Sequence, residues 1–382
     1  MKLAVALASA SFFMLGACVT LPGMVLPLLL VQFDMRLVEA GSMLALQPIA
    51  YLLSVLVSGR LLARFSTRAV LRVSVGTFAV GIAGFALTST WRAGAALLFV
   101  SGLGFGVMEV ALNSLLITIG GERRSNLLNF SHLFFGVGSF VAPALTAQAV
   151  AAGVTWRVPF AVAGGFTALV AAGWSFLRVH TDAPSAATSD SPRARATTPL
   201  TLLLAVLLGV YVGVETGIGG WLTKYMVSVR DVSLAYGGTT LSLYWLGLAA
   251  GRLVLTGLAH HVREERLIVG LAAFATAAAA AALLAPQAWS ATAAFALTGL
   301  GFSGIFPAVI ALGGRHHPHN TAAATSVLIA GAGLGGIVIP WAMSAIADGV
   351  GLVAGMSFYA LLSGAMAALA AALLQRLRPG ES

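Results

Sequence analysis

Twelve apolar runs, each long enough to cross a lipid bilayer, follow one another along this sequence with only short charged or turn-forming pieces between them. They fall at about residues 3–33, 39–62, 69–90, 93–119, 126–150 and 157–178, and again at 199–226, 233–258, 266–285, 290–313, 321–347 and 351–375. Lipid offers no hydrogen-bond partner to a backbone, so a spanning segment is either a helix or part of a closed barrel. Continuous apolar runs, rather than short alternating ones, select the helix. With 59% hydrophobic and only 9% charged residues, the chain also lacks the polar surface to cover a soluble globule of 382 residues. The fold class predicted is an all-α membrane protein with 12 transmembrane helices in two six-helix bundles.

Residues 1–178 form the first expected bundle and 199–382 the second. Between them, 179–198 include most of "HTDAPSAATSDSPRARATTP", rich in Pro, Ser, Thr and charge and without apolar periodicity, which reads as a cytoplasmic linker. Placing both termini in the cytoplasm puts 16 of the 21 Lys and Arg residues on that side, the bias of the positive-inside rule. The net charge of +9 is therefore read as topology and not as nucleic-acid binding. A multi-pass protein of a bacterial-type plasma (inner) membrane, monomeric and surrounded by lipid, is expected.

Cys18 is the single cysteine, so no internal disulfide framework exists, and no dinucleotide or phosphate-binding glycine motif is present. No cofactor, no metal and no enzymatic chemistry are expected. Leu15-Gly16-Ala17-Cys18 resembles a lipoprotein cleavage site, but the apolar run continues past it to about residue 33, the length of a spanning helix. "RHHPHN" at 315–320 reads as a loop and not as a metal site, having Pro318 inside it and no thiol or carboxylate beside it.

The halves repeat. "SGLGFG" at 101–106 returns as "TGLGFS" at 298–303, and "GVGSFVAP" at 136–143 as "GLGGIVIP" at 333–340, both at an offset of 197. "SGRLLARF" at 58–65 echoes "AGRLVLTG" at 250–257 at an offset of 192. Two such halves suggest a two-bundle transporter with its site near mid-membrane.

Twelve spans, the central linker, and Gly59-Arg60 with Arg64 and Arg68 after the second span make the chain resemble the major facilitator superfamily. "GFGVMEVALNS", "NLLNFSHLFFGVG", "YVGVETGIGGWLTKY", "YWLGLAAGR" and "GFSGIFPAVIALG" are similar to the branch holding fucose permease and the glucose-mannose:H+ symporters. Two departures stand out. Ala63 occupies the place of the usual loop acid, and Gly23 the place of the acid that fucose-permease-like members carry in helix 1. The resemblance implies secondary active transport by alternating access, most simply proton-coupled uptake of a hexose-like monosaccharide. Proton-antiport export of drugs or metabolites uses the same fold and the same buried acids, and a non-transporting membrane sensor is a third reading. Sodium remains an alternative to the proton, since carboxylate and carbonyl oxygens suit both.

Two carboxylates lie deep in spans, Glu109 and Glu215. Intramembrane acids are costly and mark substrate or proton pathways, so both are candidates for proton coupling. Glu109 and Asn113 are four residues apart and share a helix face. Glu215 lies among Gly213, Gly217, Gly219 and Gly220, where helix 7 is expected to bend or unwind, with Trp221 nearby. An acid beside a flat aromatic face suits a sugar, apolar on one side and polar at its rim. Substrate-binding candidates are Asn113, Asn129, His132, Gln47, Glu215, Trp221, Tyr244 and Trp245. For Gln47 and His132 a packing role stays open, as does a membrane-interface role for Trp221. Arg60, Arg64 and Arg252 are read as a cytoplasmic gate or headgroup anchors, with Arg60 and Arg252 at equivalent helix ends.

Overall fold

A computed structural model describes residues 2–121, 124–176, 198–258, 262–317 and 320–376, which are helical with short connections; no strand occurs among the described residues. The central linker lies outside them except for Thr198, and the side chain of Asn126, a possible helix cap, also lies outside them. The chain divides into two compact units, Met1–Thr188 and Ser189–Ser382.

The first unit holds α1 (Lys2–Gln32), α2 (Leu37–Arg64), α3 (Thr67–Phe85), α4 (Trp91–Gly120), α5 (Arg124–Ala151) and α6 (Arg157–Phe176). The second holds α7 (Pro199–Val229), α8 (Leu234–Leu258), α9 (Glu264–Leu284), α10 (Ala288–Phe302), α11 (Ile305–His316), α12 (Thr321–Val350) and α13 (Leu352–Arg376). These bounds follow the apolar runs closely because the connections carry helix-starting chemistry. Ser66 and Thr90 accept hydrogen bonds from the backbone N–H of Ala69 and Ala93, each at 3.3 Å, and Thr198 caps α7 ahead of Pro199. Cys18 is fully buried in the middle of the 31-residue α1.

Eleven stretches among the described residues are long and apolar enough to cross a membrane. One of them, Ala288–His316, is α10 and α11 together; α8, 25 residues long and carrying Arg252, lies outside the eleven. The single span expected at 290–313 is thus broken, between Phe302 and Ile305. Pro307 explains the break. It has no N–H to offer the carbonyl four residues back, Ser303, and its ring crowds that carbonyl. In the first half the counterpart of Pro307 at the 197 offset is Val110, and α4 runs unbroken.

α1 packs on α5 and α6, α2 and α3 on α4, and α3 on α6; correspondingly α7 packs on α12 and α13, α8 and α9 on α10, and α9 on α13. Small residues set the register. A side chain at Gly102 would collide with the Gln47 carbonyl, and one at Gly299 with the Tyr244 carbonyl; Gly104 abuts Phe78, and Gly301 abuts Ala275. Gly106 faces Ser54, and Gly251 faces Ser303. Every one of these correspondences keeps the offset of 197, and so do the bounds of α1 and α7. In this register Arg252 is the counterpart of Val55, not of Arg60. The equivalence of Arg252 and Arg60 is therefore corrected: the counterpart of Arg60 is Gly257, five positions, about 7.5 Å at 1.5 Å per residue, beyond Arg252 along α8.

Candidate functional site

Each unit carries one intramembrane acid with its own set of partners. In the first unit Glu109 projects from α4, partly buried, and the hydroxyl of Tyr51 from α2 lies beside its carboxyl group. The approach is made possible by Gly106, whose missing side chain admits the α2 backbone at Tyr51 and the Ser54 hydroxyl. One turn along the same face, Asn113 Oδ1 lies 2.9 Å from His132 Nε2 of α5. The His132 ring in turn packs against Phe12 of α1, with centroids 4.3 Å apart. Four helices thus contribute to a polar strip of Tyr51, Glu109, Asn113 and His132, closed at one end by an aromatic face. It holds a carboxyl group, an amide and an imidazole, enough to exchange hydrogen bonds with a hydroxylated ligand or to pass a proton.

Two other candidates in this unit fall elsewhere. The Gln47 amide donates to Ser101 Oγ at 2.9 Å and is buried, so it ties α2 to α4. Asn129 is exposed on α5, one turn before His132 and outside the Asn113–His132 contact.

In the second unit Glu215 is buried on α7, and Arg252 of α8 places its Nη2 3.8 Å from Glu215 Oε1. The arginine expected at a cytoplasmic gate is therefore a partner of the membrane acid. Arg60 and Arg64 are exposed. Tyr244 donates its hydroxyl to the backbone carbonyl of Glu215 at 2.8 Å, and the Tyr211 hydroxyl lies beside the Glu215–Arg252 pair without a close hydrogen bond. Tyr359 of α13 lies against Gly217, and Trp245 against Gly219 and, edge to face, against Tyr244 at 5.4 Å.

The unwinding that was one expectation for α7 does not occur; the helix is continuous from Pro199 to Val229. Its glycines serve close approach instead, admitting Tyr359, Trp245 and, at Gly213, the backbone of α12 at Gly335. The Tyr359 hydroxyl and Trp245 Nε1 are buried with no hydrogen-bond partner among the described residues. A buried polar group left in that condition costs about 1–3 kcal/mol, so both are poised to donate a hydrogen bond to water or a ligand. Trp221 is buried to 1% exposure inside the unit, so its ring is not on the surface of the unit.

Tyr51, Phe12 and Tyr359 were not singled out from the sequence. The signal for Tyr51 was present, as an aromatic hydroxyl on the face of α2 that meets Gly106, but the pairing runs across 58 positions and emerges only with the α2–α4 register. A groove of about 1090 Å³ between α1, α5 and α6 is lined by apolar residues such as Phe13, Phe130, Leu145 and Val162; neither acid reaches it. Near the "RHHPHN" run, Arg315 pairs with Glu264 at 2.9 Å and with Glu265, and His317 Nε2 lies 2.8 Å from Thr201 Oγ1. Both contacts tie together helix ends within the second unit, and no group of three or more metal-ligating side chains occurs among the described residues.

The comparisons with known proteins agree with this architecture. The curated "Protein TsgA homolog" of Serratia proteamaculans (strain 568) is 22% identical over 275 residues, covering 70% of this chain and 68% of that protein. Among solved structures, a D-xylose-proton symporter superposes with a TM-score of 0.81 at 13% identity, covering 98% of this chain and 97% of its own. The nucleoside transporter NupG superposes with a TM-score of 0.76 at 11% identity, covering 99% of both chains. The E. coli fucose:proton symporter FucP gives 0.62 at 18% identity, covering 96% and 97%. At these identities the likeness is one of fold. The sequence pattern of the Major Facilitator Superfamily, however, matches residues 8–340, nearly the whole chain. The chain is thus a multi-pass membrane transporter, not an enzyme, and belongs to the Major Facilitator Superfamily.

Proposed function

We propose that this transporter takes up a neutral polyhydroxylated substrate, a hexose-like monosaccharide, driven by proton flow. The observation that carries the reading is the pairing of Glu215 with Arg252. An acid already matched by a guanidinium leaves its region of the second unit without net charge, which suits a neutral ligand and disfavours a lipophilic cation. Around that pair stand the hydroxyl and indole groups of Tyr211, Tyr359 and Trp245, the donors and flat faces a sugar uses. In the first unit Glu109 serves as the proton carrier, with Asn113 and His132 as substrate contacts beside it. The fucose:proton and D-xylose-proton symporters among the structural neighbours make this assignment natural for the fold.

In this reading all twelve helical segments span an inner membrane, with α8 as the twelfth and α10–α11 as one, and both termini are cytoplasmic. Residues 1–178 rock against 199–382 about the linker 179–198. The protein acts as a monomer in lipid.

Uptake of labelled hexoses into proteoliposomes under an imposed pH or sodium gradient tests the proposal. Accumulation on an inward proton gradient by wild type, lost in Glu109→Gln, is expected. No hexose uptake by wild type, together with drug resistance of cells that express it, identifies a proton-antiport exporter instead. Accumulation on sodium alone replaces the coupling ion.

A further inference from the structure

We infer that the groove between α1, α5 and α6 is a binding site for an anionic phospholipid, whose acyl chain lies along α1 and whose phosphate meets Lys2. Such a site is independent of which substrate the protein carries.

The repeat isolates what is peculiar to this place. In the second unit α12 and α13 pack on α7 and on each other, whereas α5 and α6 both pack on α1 and hardly meet. Side chains account for the difference. Gly355, in the first turn of α13, lies so close to α12 that an added side chain would stand 2.9 Å from the Ala347 methyl group and 3.2 Å from the Met343 carbonyl. α6 opens as Arg157-Val158-Pro159-Phe160, without a glycine, and Val158 lines the groove. In the second turn of α13, Tyr359 is 1% exposed and fills the space over α7 at Gly217; in the second turn of α6, Val162 is 51% exposed and leaves the groove open over α1. A lipid chain there occupies the room that an aromatic ring fills in the other half.

The lining chemistry names the occupant. Small residues such as Ala6 and Ala10 make the floor, and Phe130, Leu145, Val162 and Phe166 are among the rims. The bilayer core holds no water to fill such a groove, so hydrocarbon or another helix must. Helices that meet in lipid do so through small residues, and the close helix contacts of both units are made at glycines; no glycine lines this groove. Bulky apolar rims instead suit a flexible acyl chain. Along α1 the groove runs from Lys2 to Leu21, about 28 Å at 1.5 Å per residue and close to the ~30 Å depth of the hydrocarbon core. Lys2, exposed at one end, is the single charged residue that lines it among the described residues. A cation where the apolar walls end matches the phosphate of an anionic headgroup. Ser9 lies about 10 Å deeper along α1, near where an interfacial layer ~5–7 Å thick gives way to hydrocarbon. Its hydroxyl is buried without a hydrogen-bond partner among the described residues, a donor suited to a lipid ester carbonyl.

Quenching by brominated lipids tests the site without any substrate. The full chain carrying Val162→Cys is labelled with a small fluorophore in phosphatidylcholine vesicles, and brominated phosphatidylglycerol or brominated phosphatidylcholine is added in increasing proportion. Cys18 is buried, so wild type gives the background of label. Half-maximal quenching by the phosphatidylglycerol is expected at a proportion about fivefold lower than by the phosphatidylcholine, the scale of one lysine's attraction to an anionic lipid. Lys2→Gln should bring the two lipids level, and Ala10→Phe, which sets a ring on the floor, should weaken quenching by both. A label at Leu361→Cys, exposed on α13, should show no preference. Equal quenching by the two lipids at Val162, a preference that survives Lys2→Gln, or the same preference at Leu361 overturns the inference. Weak quenching by either lipid at Val162, with full quenching at Leu361, means that a protein segment or a second copy covers the groove and overturns it as well.

Discussion

Replacing Arg230 by alanine removes a single side chain that holds the end of another helix. From the C-cap of α7, its guanidinium donates to the carbonyls of Ala282, Leu283 and Ala285 at 2.9, 2.8 and 2.7 Å, the last turn of α9 and the residue after it. Its positive charge also sits at the negative end of the α9 dipole and 5.6 Å from the Tyr225 ring. Hydrogen bonds to a charged group contribute about 1.5–3 kcal/mol each. The site is only half-buried, so water replaces part of what is lost, and about 2–4 kcal/mol for the set of three is a fair magnitude. At roughly 2–4 °C per kcal/mol for a unit of this size, the melting temperature should fall by about 4–16 °C. Lysine at 230 keeps the charge but not the fork, so it should recover less than half. Arg157 performs the same service for α3 from the start of α6, donating to Ala86 and Thr88 at 2.6 and 2.8 Å, and Arg157→Ala should cost a similar amount. Arg92, whose guanidinium lies over the Trp91 ring at 5.0 Å, is the control, and its removal should cost less than about 1 kcal/mol. Thermal unfolding of the purified protein in detergent, followed by tryptophan fluorescence, reads all four. Arg230→Ala melting with wild type, or Arg92→Ala costing as much as Arg230→Ala, would refute the capping role.

Other perturbations follow from the same contacts. Gly299→Ala drives a methyl group into the Tyr244 carbonyl and should destabilise by about 1–3 kcal/mol, whereas Gly270→Ala, with open space around it, should be neutral or stabilising by about 0.5–1 kcal/mol in the same melting assay. Pro307→Ala restores an N–H to the break between α10 and α11 and should slow amide exchange at residues 303–308; exchange as fast as in wild type would mean that the break has another cause. Tyr51→Phe removes the hydroxyl beside Glu109 and should lower proton-driven hexose uptake several-fold at equal expression, an effect that Tyr236→Phe, in the first turn of α8, should not reproduce.

Much of this architecture is legible in the sequence because lipid leaves so few choices. Long apolar runs must be helices, and Ser66, Thr90 and Thr198 announce where α3, α4 and α7 begin. The glycine repeat is legible too, since close helix packing writes itself as small residues at fixed spacing. What the sequence hid was register across helices. Two offsets, 197 and 192, competed for α8, and the second placed Arg252 at a helix end; the packing of Gly251 on Ser303 decides for the first. The acid–arginine pair and the Tyr51–Glu109 pair join residues 37 and 58 positions apart, and nothing local to either residue names its partner. The break at Ser303–Gly304 had a visible cause in Pro307, masked by the unbroken hydrophobicity of the run around it. The glycines of α7 read as a hinge because isolated glycine loosens a helix, yet Gly213, Gly217 and Gly219 each face an aromatic ring or a neighbouring backbone, and the helix is continuous through them.

Proton movement on addition of substrate is the most direct test of Glu109 as the carrier. Lightly buffered proteoliposomes containing the wild-type protein, given a hexose without any imposed gradient, should draw protons inward with the sugar, seen as alkalinisation of the external medium; Glu109→Gln should show none at equal protein content. Alkalinisation of the same extent by Glu109→Gln would contradict the assignment.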